Sequence, residues 1–268
     1  MTFLPRFRPL LAAAAIGLAA VSGPALAQDK DTIRIGVTPG THEEVMEVVR
    51  DVAKEKGLTI EILPFTDYVL PNTALADGDL DANSFQHQPY LDQQVKDRGF
   101  DLRTIAKNFV EPMGVYSQQY KALADLPEGA QVAIPNDPTN GGRALLLLAN
   151  EGIITLGDDV GLTPSPLDIT ENPKNLKFTE VDAAQLPRVL PDVAAAAINT
   201  NYALEAGLNP VNDAVVIESA DSPYANIVVV QGDNVDAPWV KTLVEAYHTD
   251  TVRQFILDRF KGAVVPAF

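Results

Sequence analysis

Apolar positions along the chain switch between two spacings, and the switches mark out alternating strands and helices. Thr32 to Val37 alternates and is rich in β-branched residues, which predicts a strand. After the turn Thr38-Pro39-Gly40, Thr41 can cap a helix, with Glu43 and Glu44 beside its N-terminal partial positive charge. Val45, Val48, Val49 and Val52 form its apolar stripe, and Gly57 ends it. Leu58 to Leu63 alternates again. Strand, helix and strand of these lengths predict a parallel βαβ unit.

The pattern then continues in shorter pieces. Pro64 to Pro71 is a loop with two aromatics, Asn72 to Leu80 a short helix, and Asp81 to Phe85 a short strand that turns into Gln86-His87-Gln88-Pro89-Tyr90. A helix carrying Leu91 and Val95 ends at Gly99, and Leu102 to Phe109 is a strand. Pro112 and Gly114 break the pattern before Val115-Tyr116-Ser117. A second cycle follows. It comprises a short helix Lys121–Leu126, a strand Gln131–Ile134, a helix from Arg143, a loop Val160–Pro166, a strand Phe178–Val181 and a short helix Ala183–Leu190. Next come a buried apolar run Val193–Ile198, a helical Ala203–Ala206 and a strand Ala214–Glu218. Ser222 to Asn226 is a turn, Ile227 to Gln231 a strand, and Trp239 to Phe260 a helical stretch broken near His248-Thr249-Asp250. The layout is two successive α/β units, with crossings near Glu111–Val115 and Ser219–Pro223. Ligands of open α/β sheets sit at the C-terminal ends of strands. That rule places the turns around Phe65, His87, Asn140 and Asn199 about one cleft.

The stretch Gln131 to Ala149 raises the sharpest chemical question. It reads as strand, polar turn and helix, with the cation Arg143 in the first helical turn. A cation there is disfavoured by the helix dipole. Two compensations are open: a carboxylate elsewhere in the chain, or a captured anion held by backbone N–H groups and the forked guanidinium.

Composition narrows the classes. Arg6 and Arg8, an apolar run from Leu10 to Val21, and small residues at Ala25 and Ala27 predict a secretory signal spanning residues 1–27, cleaved after Ala27. That leader contains two arginines and no acidic residue, so its removal takes the net charge from −16 to −18. Such a chain repels nucleic acid and anionic lipid. The chain has no cysteine, which excludes disulfides, thiolate catalysis and a lipid-modified cysteine at the signal junction. The mature protein is therefore expected to diffuse freely in the periplasm. The three histidines, His42, His87 and His248, lack helical metal-ligand spacing, and no metal or other cofactor is expected. Neither a Gly-x-Ser-x-Gly elbow nor a phosphate-binding Gly-x-x-x-x-Gly-Lys loop is present, so no enzyme is expected.

Phe65, Tyr68, Phe85, His87 and Tyr90 cluster in one short span outside regular periodicity. Taken one at a time, Phe65 and Phe85 read equally as core residues, Asn199 as a buried loop amide and Asn226 as a turn residue. As a set with Arg143 they describe a small pocket of one cation, several amides and an aromatic box. Such a pocket fits a zwitterion with an apolar side chain. A thioether suits it well, because sulfur packs favourably at ring edges.

Several long motifs carry a resemblance. FTDYVLPN (Phe65 to Asn72), DANSFQHQPYLDQQ (Asp81 to Gln94) and VAIPNDPTNGGRALLLL (Val132 to Leu148) are three of them. ENPKNLKFTEVDAAQLPR (Glu171 to Arg188), INTNYA (Ile198 to Ala203) and SPYAN (Ser222 to Asn226) are the others. From about Ile33 to Gly262 the chain resembles the NlpA-type lipoproteins, the methionine-binding proteins of bacterial methionine ABC importers. The resemblance implies an α/β fold, a two-lobed periplasmic binding protein of the type II class with its ligand in the interlobe cleft. Lobe 1 would comprise residues 31–112 plus 224–268, and lobe 2 residues 113–223. It implies capture of methionine, in the L form, for an inner-membrane permease driven by a cytoplasmic ATPase, by a monomer with no nucleic-acid partner. Another amino acid, a methionine-containing dipeptide or an enzyme on the same scaffold are the alternatives. Carried over residue by residue, Arg143 holds the ligand carboxylate, and Asn199 and Asn226 its polar end. Tyr68, Phe85, His87 and Tyr90 line the side-chain pocket, Asn140 shapes the arginine loop, and Phe65 joins the set. Two departures stand out: no cysteine at the signal junction, and Gly141 in the arginine loop where bulkier residues are usual.

Overall fold

The computed structural model describes residues 1–2 and 30–268, so the leader and its cleavage point lie outside the described residues. The chain starts with β1 (Thr32–Val37), α1 (Thr41–Glu55), β2 (Thr59–Pro64), α2 (Leu70–Ala76) and β3 (Ala82–His87). It continues through α3 (Gln88–Arg98) and β4 (Leu102–Val110), crosses at 111–113, and enters a second sheet with β5 (Gly114–Tyr116). There follow β6 (Gln131–Pro135), α4 (Pro138–Asn150), the small hairpin β7 (Thr155–Leu156) with β8 (Ile169–Glu171), and β9 (Lys177–Val181). Next are α5 (Leu186–Val189), β10 (Ala195–Ile198), α6 (Thr200–Glu205), α7 (Pro210–Asp213) and β11 (Val216–Ile217). After 218–224 the chain returns to the first sheet with β12 (Ala225–Gln231), then α8 (Pro238–Tyr247), α9 (Asp250–Phe260) and β13 (Val265–Pro266).

Two main sheets result, one per lobe, beside the two-stranded β7-β8 sheet. The first has the order β13-β4-β12-β3-β1-β2, and the second β11-β5-β10-β6-β9. β1 runs parallel to both β2 and β3, as the βαβ reading requires. β12 enters antiparallel between β3 and β4. In the second sheet β6 is parallel to β9 and β10. The first core lies between the sheet and α1, α8 and α9, with Val45, Val49, Trp239, Leu243, Tyr247 and Ile256 buried together. Each such side chain contributes about 1.5–3 kcal/mol of burial free energy. The second is built on Val132, Ile134, Leu145 and Leu148. No helix among the described residues is long and apolar enough to cross a membrane.

Several boundaries differ from the sequence reading, each for a local reason. The helix expected from Arg143 begins at Pro138, with Asp137 as N-cap accepting the Asn140 N–H at 2.9 Å. Proline at the first helical position after an aspartate is a helix-start signal as well as a turn signal. Arg143 therefore sits in the second turn, and the expected clash with the helix N-terminus does not arise. Lys121–Leu126 is only a 3₁₀ turn at Leu123–Asp125. Asn226 lies within β12 rather than in a turn. The break between α8 and α9 falls at His248 and Thr249, as the pattern indicated.

Candidate functional site

A small cavity lies between the two sheets. Its lining comes from the C-terminal ends of parallel strands in both lobes, the location the open-sheet rule specifies. Tyr68 follows β2, Phe85, Gln86 and His87 end β3, and Tyr90 follows them. Asn140 and Arg143 follow β6, and Asn199, Thr200 and Asn201 follow β10. Asn226 is the second residue of the returning strand, and Glu111 stands at the first crossing. Eight of the nine residues expected from the sequence meet here: Tyr68, Phe85, His87, Tyr90, Asn140, Arg143, Asn199 and Asn226. Phe65 does not. Its ring packs against the Leu75 and Leu80 cluster, and a Cβ on Gly36 would lie 3.2 Å from it. The loop after β2 turns it back over its own lobe, and only Tyr68, three residues on, reaches the cleft.

The aromatic wall is a set of tilted and edge-on rings. Tyr68 lies 6.0 Å from Phe85 and 6.1 Å from Tyr90, and Phe85 lies 6.0 Å from Tyr90. Edge-to-face pairs at such spacings are the favourable arrangement. The Tyr90 hydroxyl donates to the Tyr68 carbonyl at 2.9 Å, fixing the loop. Burial raises the Tyr68 and Tyr90 hydroxyls well above their ordinary values, so both stay neutral. Beneath the wall, Asn72, Asn83 and Gln86 form a buried amide cluster. Asn72 and Gln86 exchange hydrogen bonds of 2.8 and 2.7 Å, which holds Gln86 against the cavity.

His87 has its tautomer set by its neighbours. Its Nδ1 accepts the Tyr90 N–H at 3.1 Å as the N-cap of α3, so the neutral ring carries its proton on Nε2. That N–H donates across the cleft to Asn140 Oδ1 at 3.0 Å. Asn140 Oδ1 also accepts from Asn199 Nδ2 at 2.9 Å, while Asn140 Nδ2 donates to Asp137 Oδ2 at 2.9 Å. Asn140 is thus a hub linking the two lobes. Gly141 beside it has a close-packed backbone: a Cβ there would lie 2.7 Å from the Pro135 carbonyl oxygen. Burial, and then the Arg143 charge, push the His87 pKa down to about 3. The unfolded chain therefore binds the proton first as pH falls below about 6.5, and His87's contribution to stability is full above that value and declines toward about 3. Between about pH 7 and about pH 5 this amounts to about 2 kcal/mol. Denaturant titrations of the ligand-free protein at both pH values are expected to show a larger loss for the unsubstituted chain than for His87→Asn, which keeps an N-cap oxygen.

Arg143 is 3% exposed and has an internal partner, the first of the two compensations the sequence left open. Its Nη2 donates to Glu218 Oε2 at 2.5 Å and to the Glu111 carbonyl at 2.8 Å, and Nε donates to Glu218 at 3.1 Å. The guanidinium also stacks over Tyr224, 4.3 Å from the ring centroid. Three of its five N–H groups are used, and Nη1 has no partner among the described residues. Because Glu111 and Glu218 each sit at a crossing between the lobes, Arg143 ties both crossings together. Two acceptors on residues lining the cavity, Glu111 Oε1 and Asn199 Oδ1, also have no hydrogen-bond partner among the described residues. The other Glu111 oxygen accepts from Asn226 Nδ2 at 3.0 Å. The buried Asn201 Nδ2 donor is free as well. Glu111, Gln86, Thr200, Asn201, Glu218 and Tyr224 were not singled out in the sequence. The available signal was position, since the two carboxylates stand at or beside the two pattern breaks.

Direct bonds between the lobes close the cavity. The Tyr68 hydroxyl donates to Asn201 Oδ1, and the Tyr202 hydroxyl to the Thr66 carbonyl at 3.3 Å. The Tyr68 and Tyr202 rings lie 4.9 Å apart. Among the described residues there is no group of three or more His, Asp or Glu side chains arranged to hold a metal ion.

The chain resembles known proteins over almost its whole described length. A D-methionine-binding lipoprotein of Salmonella typhimurium is 53% identical over 241 residues, 89% of each chain. The corresponding lipoprotein of Escherichia coli is 51% identical over the same share of both chains. The solved structure of a nutrient-binding protein from Burkholderia cenocepacia, bound to methionine, is 54% identical and superposes with a TM-score of 0.87. It covers 88% of this chain and 100% of its own. The family model described as NlpA lipoprotein matches residues 33–268, and the chain belongs to that family.

Proposed function

We propose that this protein captures methionine in the interlobe cavity and delivers it to an ABC importer. The observation that carries the reading is the polar inventory of one small cavity. Free acceptors on Glu111 and Asn199 and the free Nη1 of Arg143 share it with an aromatic wall. An amino-acid ammonium needs the first pair, its carboxylate needs the arginine, and an apolar thioether packs among the rings. Pairing inside is obligatory, because an unpaired buried ion is very costly. The methionine seated in the Burkholderia cenocepacia relative and the methionine-binding names of the curated relatives support the same ligand. The enantiomer we propose is L-methionine, and the relatives named for D-methionine make the D form the first competitor.

The lobes would divide as residues 31–112 plus 224–268 and 113–223, a division supported by which strands share each sheet. The importer would consist of an inner-membrane permease and a cytoplasmic ATPase, served by a monomeric binding protein. After cleavage near Ala27 the protein would remain free in the periplasm, since no cysteine is present to carry the lipid implied by its relatives' names. Calorimetric titration with both enantiomers, methionine dipeptides and other amino acids tests the reading. Free methionine is expected to bind one to one, and dipeptides to be excluded by the closed walls of a cavity this small. Tighter binding of a dipeptide or of a different amino acid would overturn it.

A further inference from the structure

Glu111 is an unusual residue to leave buried with one oxygen unsatisfied, and what lies behind it explains how it is held. His42 projects from the first turn of α1, is 1% exposed, and lies outside the cavity lining. Its ring rests 4.7 Å from that of Phe109. Its Nε2 stands 3.2 Å from Glu111 Oε2, within ion-pair distance but outside hydrogen-bond geometry, and neither ring nitrogen has a hydrogen-bond partner among the described residues. Contact at that distance is favourable with an N–H on Nε2 and unfavourable with a lone pair there. A buried imidazole whose nitrogens make no hydrogen bond is costly for packing alone. Oε2 thus has two neighbours, His42 behind the wall and Asn226 within it, while Oε1 has no hydrogen-bond partner among the described residues and Glu111 faces the cavity.

We propose that His42 is a positioning residue for ligand recognition. From behind the cavity wall it holds the Glu111 carboxylate so that Oε1 is presented to the ligand ammonium. The inference rests on the reading of Glu111 as an ammonium acceptor. Glu111 has several side-chain torsions to immobilise on binding. Holding them beforehand lowers the ordering cost of association, by an amount equivalent to about tenfold in affinity.

The test separates this role from packing by using two ligands that differ only in the ammonium. Methionine and its des-amino analogue, with hydrogen in place of the ammonium, are titrated against the full chain, the analogue by competition. His42→Phe is expected to weaken methionine about tenfold and to leave the analogue unchanged. His42→Gln, whose amide nitrogen lies near the Nε2 position, is expected to recover most of the loss. His42→Asn, which is too short to reach Glu111, is expected to show the same selective loss, so the result does not depend on the phenylalanine variant folding. Equal weakening of both ligands, or unchanged methionine affinity in both His42→Phe and His42→Asn, would overturn the inference. Absence of methionine binding by the unsubstituted protein would instead overturn the proposed function, and this inference with it.

Discussion

Replacing Arg143 with alanine is expected to weaken methionine binding by at least about a hundredfold and to lower the stability of the ligand-free protein as well. Both effects follow from the same geometry. On the proposed reading the two unused N–H groups on Nη1 hold the ligand carboxylate, and losing them would leave a buried anion uncompensated, at a cost of about 3–5 kcal/mol. The alanine also leaves Glu218 without its partner; Glu218 is 13% exposed, so solvent relieves only part of that penalty. The double replacement Arg143→Ala with Glu218→Ala separates the two effects. Thermal denaturation is expected to recover toward the unsubstituted value, while calorimetry shows binding still lost. Retained affinity in the single variant would mean that the carboxylate is held elsewhere.

Glu111→Gln is expected to separate affinity from stability in the opposite way. The glutamine has the same shape but cannot offer a charged acceptor to an ammonium. Hydrogen bonds to charged groups contribute about 1.5–3 kcal/mol, so methionine affinity should fall by about tenfold to a hundredfold. The ligand-free protein should keep its melting temperature or gain slightly. Its buried carboxylate has an oxygen without a partner, and removing such a charge relieves desolvation. Loss of affinity without loss of stability marks a group kept for the ligand rather than for the fold. A drop in both, measured by calorimetry and thermal denaturation, would make Glu111 a structural hinge residue.

Much of the architecture was legible because its signals are local. The β-branched alternation of Thr32–Val37 and the valine stripe after Thr41 both appear where the pattern placed them. The pattern breaks near Glu111 and Ser219 coincide with the places where the chain leaves one sheet and enters the other. The aromatic cluster was visible because Tyr68, His87 and Tyr90 fall outside any periodicity that packing would need. Arg143 shows where locality ends. Its helix start was misplaced because Asp137 and Pro138 serve turns and helix N-termini equally well. Its counter-ion, Glu218, lies 75 residues away along the chain, and no spacing rule links the two.

The sequence by itself determined the alternation of strands and helices, the two α/β units, the two crossings and most of the residues that face the cleft. These depend on side-chain periodicity and turn chemistry, which act over a few neighbours. Only the tertiary structure decided which polar groups meet. It turned Phe65 away from the cavity, seated Arg143 on Glu218 and the Glu111 carbonyl, and placed His42 behind the Glu111 carboxylate. Those pairings depend on how two sheets, joined at two crossings, close on each other, and hydrogen bonds a few ångströms long register that closure while the order of residues along the chain does not.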